Sequence, residues 1–255
     1  MDRHRLIYGD ASGRDAIIAE DTVDLIVTSP PYNIGMAYSD DATDDKLPYN
    51  NYFKFTSKWL SNCYKWARPV SRMCVNICID NGREKDAPYY ADFVTVARRV
   101  GWRYHTTITW SKSNVNRLTA WGSWKSASAP YISTPIEVVI LFFKGSWGKP
   151  YKGTDDITAG ESKHWVRGDW SFSGESAKRI GHPAPFPREL PRRCVKLLSY
   201  VGETVLDPFV GSGTTMIEAI NSRRVAIGIE KELQWVDLAE ERLLKECGKM
   251  WKVKQ

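Results

Sequence analysis

"ETVLDPFVGSGTTMIEAI", residues 203–220, decides the fold. An apolar strand ends in Asp207-Pro208. Gly211 and Gly213 then allow a tight turn, and Ser212 and Thr214 lead into a helix. Glycines at the carboxyl end of a strand let a ligand approach the backbone closely. The helix amino terminus beyond them suits an anionic group. No Gly-Lys-Ser/Thr follows, so this is not a phosphate loop, and the spacing is not that of a dinucleotide fingerprint. A carboxylate at Asp207 disfavours phosphate and suits an ammonium or sulfonium. The next strand, "RVAIGIE" (224–230), ends in Glu230, where an acid accepts both ribose hydroxyls. The ligand so described is a ribonucleoside with a cationic amino-acid tail, and S-adenosylmethionine (AdoMet) fits.

Outward from that stretch, strand-length apolar runs recur at 5–9, 23–28, 72–79, 104–110 and 136–143. Several are Val/Ile-rich and do not alternate, so both faces of the sheet are expected to be covered. Helical patterns fall at 49–67, 89–100, 187–201, 213–222 and 232–247. Alternating strands and helices predict an α/β fold with a largely parallel sheet. Residues 111–135 and 145–181 break the rhythm and are expected to be two long functional loops. Residues 36–48 read as an acidic, mobile loop.

Net charge is +6, and residues 101–200 carry 15 Lys/Arg against 7 Asp/Glu together with 7 of the 11 tryptophans. A basic, aromatic segment on a near-neutral scaffold fits a polyanion-binding face. The five scattered cysteines, odd in number, argue against a disulfide framework, and no zinc-like spacing is present, so no metal is expected. The sequence lacks a long apolar run and a signal peptide, so no membrane association and a cytoplasmic location are expected.

"TSPPYN" (28–33) closes the run "VDLIV" (23–27) with two prolines. Together with "DPFVGSGTT" it carries a family resemblance. "DPFVGSGTT" resembles the AdoMet-binding motif of the amino-methylating DNA methyltransferases, and "SPPY" is similar to their catalytic Asp/Asn/Ser-Pro-Pro-Tyr/Phe motif. The catalytic motif precedes the cofactor motif, which resembles the permuted order of the beta class. "GDA" (9–11), "IEVVILFFK" (136–144) and "HPAPFPRELPRRCVKL" (182–197) are supporting matches. The resemblance implies a Rossmann-like AdoMet-dependent methyltransferase fold, mainly parallel and circularly permuted. Residues 1–144 would form its catalytic part, 145–181 a small target-recognition region and 182–255 the AdoMet-binding part.

The same resemblance implies roles. Ser29 Oγ and the Pro30 carbonyl would accept hydrogen bonds from an exocyclic amine, with Pro30 and Pro31 freezing the turn. Tyr32 would stack on a base flipped from duplex DNA. Asp10, Asp207, Pro208, Phe209, Gly211, Ser212, Gly213, Thr214, Glu230 and His182 would bind the cofactor, although Asp10 also reads as a helix cap. Asn33 would touch the base or close the turn. Lys112, Lys125, Lys152, Lys163, Arg167, Lys178 and Arg179 are candidate phosphate contacts. Trp165, Trp170 and Phe172 are candidate wedges or stacking rings, with packing as the alternative. Serine at the first motif position leans to cytosine N4; adenine N6 is the alternative. An RNA base methyltransferase and a non-catalytic AdoMet/DNA-binding module are competing readings. A homodimer and a cognate restriction endonuclease are expected partners. Deleting 145–181 is expected to abolish DNA binding and spare AdoMet binding.

Overall fold

The computed structural model describes residues 4–13, 18–38, 45–81, 87–113, 123, 125–130, 132 and 136–251. Its strands are β1 (Arg5–Tyr8), β2 (Val23–Thr28), β3 (Ala67–Cys78), β4 (Arg103–Lys112), β5 (Ile136–Phe143), β6 (Asp169–Phe172), β7 (Thr204–Asp207) and β8 (Val225–Glu230). They form one sheet in the order β1-β8-β7-β2-β3-β5-β4-β6. Every neighbouring pair is parallel except those made by β5, which runs antiparallel to both β3 and β4.

All six residues of β2 are buried. Side chains alternate across a strand, so Ile26 joins one core cluster while Leu25 and Val27 join the other. The first cluster packs under α1 (Tyr49–Trp66) and α2 (Tyr89–Val100), through Trp59, Leu60, Phe93 and Ala97. The second packs under α5 (Glu189–Leu198), α6 (Thr214–Asn221) and α7 (Leu233–Cys247), through Val195, Ile217 and Leu243. Helices on both faces explain why the strands read as continuous apolar runs.

The connection β2–α1–β3 winds one way from the centre and β7–α6–β8 winds the other. β2 and β7 lie side by side, with Leu25 opposite Val205 and Ile26 opposite Leu206. That reversal opens a crevice at the carboxyl ends of the strands. Both decisive motifs end there although they lie far apart in the chain.

The segment 145–181 is less separate than its composition suggests. Near the amino end of β7, Lys149 pairs with Glu203 and the Val201 N–H donates to the Thr154 carbonyl at 3.0 Å. Asp156 pairs with the fully buried Arg224 side chain at 2.7 Å. A capping box of Thr158 and Glu161 starts α3 (Ala159–Trp165), and Glu161 also binds Arg192 and Lys196 of α5. β6 then adds an eighth strand beside β4, and α4 (Ala177–Ile180) follows at the crevice end.

Of the expected mobile loop 36–48, residues 39–44 lie outside the described residues, as does most of 111–135. Asp45 is fixed. It is 1% exposed and accepts the backbone N–H groups of Asn33, Ile34, Gly35 and Met36 at 2.7–3.1 Å. Among the described residues no helix is long and apolar enough to cross a membrane.

Candidate active site

A cavity of about 640 Å³ lies at the crevice. The glycine loop forms one wall, from Pro208 to Ser212 and Thr214, and the Ser29–Tyr32 turn forms the opposite side. The two walls are fastened at their base. Thr28, the last residue of β2, donates its hydroxyl to Asp207 Oδ1, the last residue of β7, at 2.7 Å.

The loop needs its glycines. Gly211 and Gly213 have φ of +48° and +81°, which side chains other than glycine's rarely adopt. A Cβ on Gly211 would also stand 3.0 Å from His182 Nε2. The Glu230 carboxylate reaches across to the loop, accepting the Gly211 N–H at 2.9 Å, and lines the cavity. Burial raises its pKa. Asp207 departs from its expected place. It is 0% exposed and lies behind the cavity wall, where it accepts the Phe209 N–H at 3.1 Å. Burial pushes its pKa up to about 6, against the Thr215 and Thr28 hydroxyls beside it. It therefore braces the loop, and Glu230, unlike Asp207, lines the cavity.

Asp10 lines the cavity, and its carboxylate also takes the Ser12 N–H and hydroxyl at 2.8–2.9 Å, closing a turn at residues 10–13; among the described residues there is no helix there for it to cap. Phe209 lines the cavity and packs edge-on against Trp59, 5.3 Å between ring centres. His182 sits at the far wall against Trp235, with Nδ1 accepting the Ala184 N–H at 3.2 Å. Burial, helped by Arg242, lowers its pKa to about 4, so it is neutral near pH 7.

On the other side the turn is held from behind. Tyr52 donates its hydroxyl to the Pro31 carbonyl at 2.9 Å. Asn33 has φ of +60°, is 2% exposed, and donates Nδ2 to the Leu47 carbonyl at 2.9 Å. It closes the turn, and its burial keeps it from a DNA surface. Ser29 Oγ lies 2.9 Å from the Tyr32 hydroxyl, which donates to Glu137 Oε2 at 3.0 Å. Asn76 Nδ2 reaches the Tyr32 hydroxyl at 2.7 Å and Glu137 Oε2 at 2.6 Å. Burial first, then Glu137, holds the Tyr32 pKa far above its ordinary value. Glu137 and Asn76 were missed from sequence. Their signal was a polar residue inside an apolar run, "IEVVILFF" and "RMCVNICI".

The expected DNA contacts divide. Lys112 pairs with Glu137 inside the cavity and is not a free surface cation, because the start of antiparallel β5 brings Glu137 up beside the end of β4. Trp165 and Trp170 are 6% and 2% exposed, so they pack and do not wedge. The Trp170 indole donates to the Trp165 carbonyl at 3.0 Å, and the Arg193 guanidinium covers both rings and Phe172. Phe172 stacks on Trp110 at 5.1 Å. Arg167 pairs with Asp169 at 3.1 Å and Arg179 with Glu175 at 2.6 Å. Lys125, Lys152, Lys163 and Lys178 are exposed. Lys152 belongs to the segment that crosses near the amino ends of the strands, away from the crevice. Lys178 follows Ala177 on the cavity rim.

A doubly wound sheet with these two motifs at one crevice defines a methyltransferase-type fold. The sequence model described as DNA methylase, of the N6/N4 type, matches residues 23–241. The Type II methyltransferase M.MjaVI of Methanocaldococcus jannaschii is 44% identical over 163 residues, which cover 64% of this chain and 83% of that protein. TTHA0409 of Thermus thermophilus, described as a DNA modification methylase and solved in complex with S-adenosyl-L-methionine, superimposes with a TM-score of 0.73. It is 28% identical, over 96% of this chain and 94% of its own. PvuII DNA methyltransferase, described as cytosine-N4-specific, has a TM-score of 0.70 over 100% of this chain and 94% of its own. At 19% identity it speaks for the fold alone. The chain belongs to the N6/N4 DNA methylase family.

Proposed function

We propose that this methyltransferase uses S-adenosylmethionine to methylate the exocyclic N4 amine of a cytosine flipped out of duplex DNA. The observation that carries the reading is the shared cavity, in which Ser29 faces the glycine loop across a base pinned by the Thr28–Asp207 bond. The residues suit the cofactor. The cavity has the size of a ligand site, Glu230 offers a carboxylate for ribose hydroxyls, and Gly211 leaves its backbone open to close approach. Asp10, Pro208, Phe209, Ser212, Thr214 and His182 line the same space and complete the candidate set. Bound there, the cofactor supplies an electrophilic methyl on sulfur. The chain's part is to orient the amine. Ser29 Oγ and the Pro30 carbonyl accept its N–H groups, and the locked turn supplies positioning, a large share of such catalysis.

A neutral serine acceptor supports cytosine N4; adenine N6 is the second reading within the same family. Target recognition is assigned to 145–181, with Lys178 and Arg179 at the cavity rim as phosphate contacts. A restriction partner belongs to the same reading, supported by relatives described as Type II methyltransferases. Unmethylated DNA treated with the protein, digested to nucleosides and analysed by mass, is expected to contain N4-methylcytosine. N6-methyladenine without it would overturn the choice of base.

A further inference from the structure

The hydrogen bonds behind Ser29 run in one direction. Asn76 Nδ2 lies 2.6 Å from Glu137 Oε2 and 2.7 Å from the Tyr32 oxygen. Glu137 forms an ion pair with Lys112, and a carboxylate only accepts hydrogen bonds. An Asn76 carbonyl turned towards it would set two acceptors face to face, so the amide must present its NH2. Tyr32 has a single proton. Given to Ser29, it would leave the Tyr32 oxygen and Glu137 Oε2 as opposed acceptors 3.0 Å apart. The proton therefore goes to the charged acceptor, which makes the stronger bond. The 2.9 Å contact between Ser29 Oγ and the Tyr32 hydroxyl then has one remaining solution, with Ser29 donating.

We propose that Glu137 is a positioning residue that sets the polarity of this chain. With its own proton committed to Tyr32, Ser29 turns only lone pairs towards the cavity. It becomes an obligate acceptor, matched to a target that offers N–H and mismatched to one that offers a carbonyl. Tyr32 acts through its hydroxyl as well as its ring. The inference rests on the proposed role of Ser29 and adds what makes that role one-directional. Glu137 need not touch the substrate.

Glu137→Gln keeps the shape and removes the direction. Its amide can donate to Tyr32, freeing the Tyr32 proton for Ser29 and turning the Ser29 proton towards the incoming amine. Single-turnover transfer of a tritiated methyl group to unmethylated genomic DNA is expected to slow by about tenfold or more. Affinity for S-adenosylmethionine, read by calorimetry on the same protein, should stay within about twofold. The decisive comparison is the Ser29→Ala background, where no hydroxyl is left to orient. There Glu137→Gln should change the rate by less than about twofold. An equal loss in both backgrounds, or no loss in the first, overturns the inference. Full activity of Ser29→Ala alone would overturn the reading of Ser29 beneath it. Should Glu137→Gln fail to bind the cofactor, Tyr32→Phe tests the same link, because it keeps the ring and deletes the hydroxyl. An undiminished rate in that variant overturns the inference.

Discussion

Asp207 shows how a motif residue can be legible in sequence while its surroundings are not. Its position at the end of a strand, before a glycine turn, was plain from 203–220. Its burial was not, because burial depends on β2, which the chain supplies 179 positions earlier. The pKa shift turns this into a prediction. In the folded protein the pKa is raised from 3.8 to about 6, so the folded state holds the proton more tightly than the unfolded chain. Stability then falls as pH rises through that window, and the ionised carboxylate is a liability above it. Asp207→Asn keeps an acceptor for Thr28 and Phe209 and removes the charge. It should raise stability to urea at pH 7.5 by about 1–3 kcal/mol, with a smaller gain at pH 4. Equal effects at both pH values would sink this account. Glu137 and Asn76 illustrate the opposite limit. Each looks unremarkable on its strand, and only the antiparallel pairing of β3 with β5 brings them into contact.

At the scale of elements, the regular parts were readable. β5 spans Ile136–Phe143 as its apolar run predicts, and α2 spans Tyr89–Val100. β3 begins earlier than expected, at Ala67, which pairs with Val23 of β2; "RPVS" then falls at an irregularity in that pairing, and Val70 and Ser71 bond instead to Lys144 just beyond β5. β6 was missed altogether. Four residues, "DWSF", carry no readable period, and pairing with β4 alone makes them a strand. Removing 145–181 is therefore predicted to do more than abolish DNA binding. The excision takes a strand, two buried tryptophans and the Asp156 partner of buried Arg224. Stripping a buried ion of its partner costs about 3–5 kcal/mol by itself. The shortened protein should lose cooperative unfolding and cofactor binding together with DNA binding. Retained S-adenosylmethionine binding would show that the segment is dispensable to the core.

For the whole molecule, charge is the property that acts at a distance. With a net charge of +6 and the excess in its middle hundred residues, duplex binding should weaken steeply as salt rises. Fluorescence anisotropy with labelled duplex, at about 50–200 mM salt, should give a linear fall of log affinity with log salt. Lys178→Ala should flatten that slope by about one, and Lys152→Ala, at the opposite end of the strands, should leave it unchanged. The reverse pattern would place DNA on the other side of the sheet.

The seam between β2 and β7 reaches beyond catalysis. Its partners are separated by most of the chain, so the central pairing cannot form until late in synthesis. On a ribosome, β2 must wait with an open, mainly apolar edge while most of the remaining chain is added. Loops of that length make for slow, entropically costly closure. The glycine loop and the Ser29–Tyr32 turn are thus brought face to face only in that late event, so the cavity between them takes shape in one step near the end of folding.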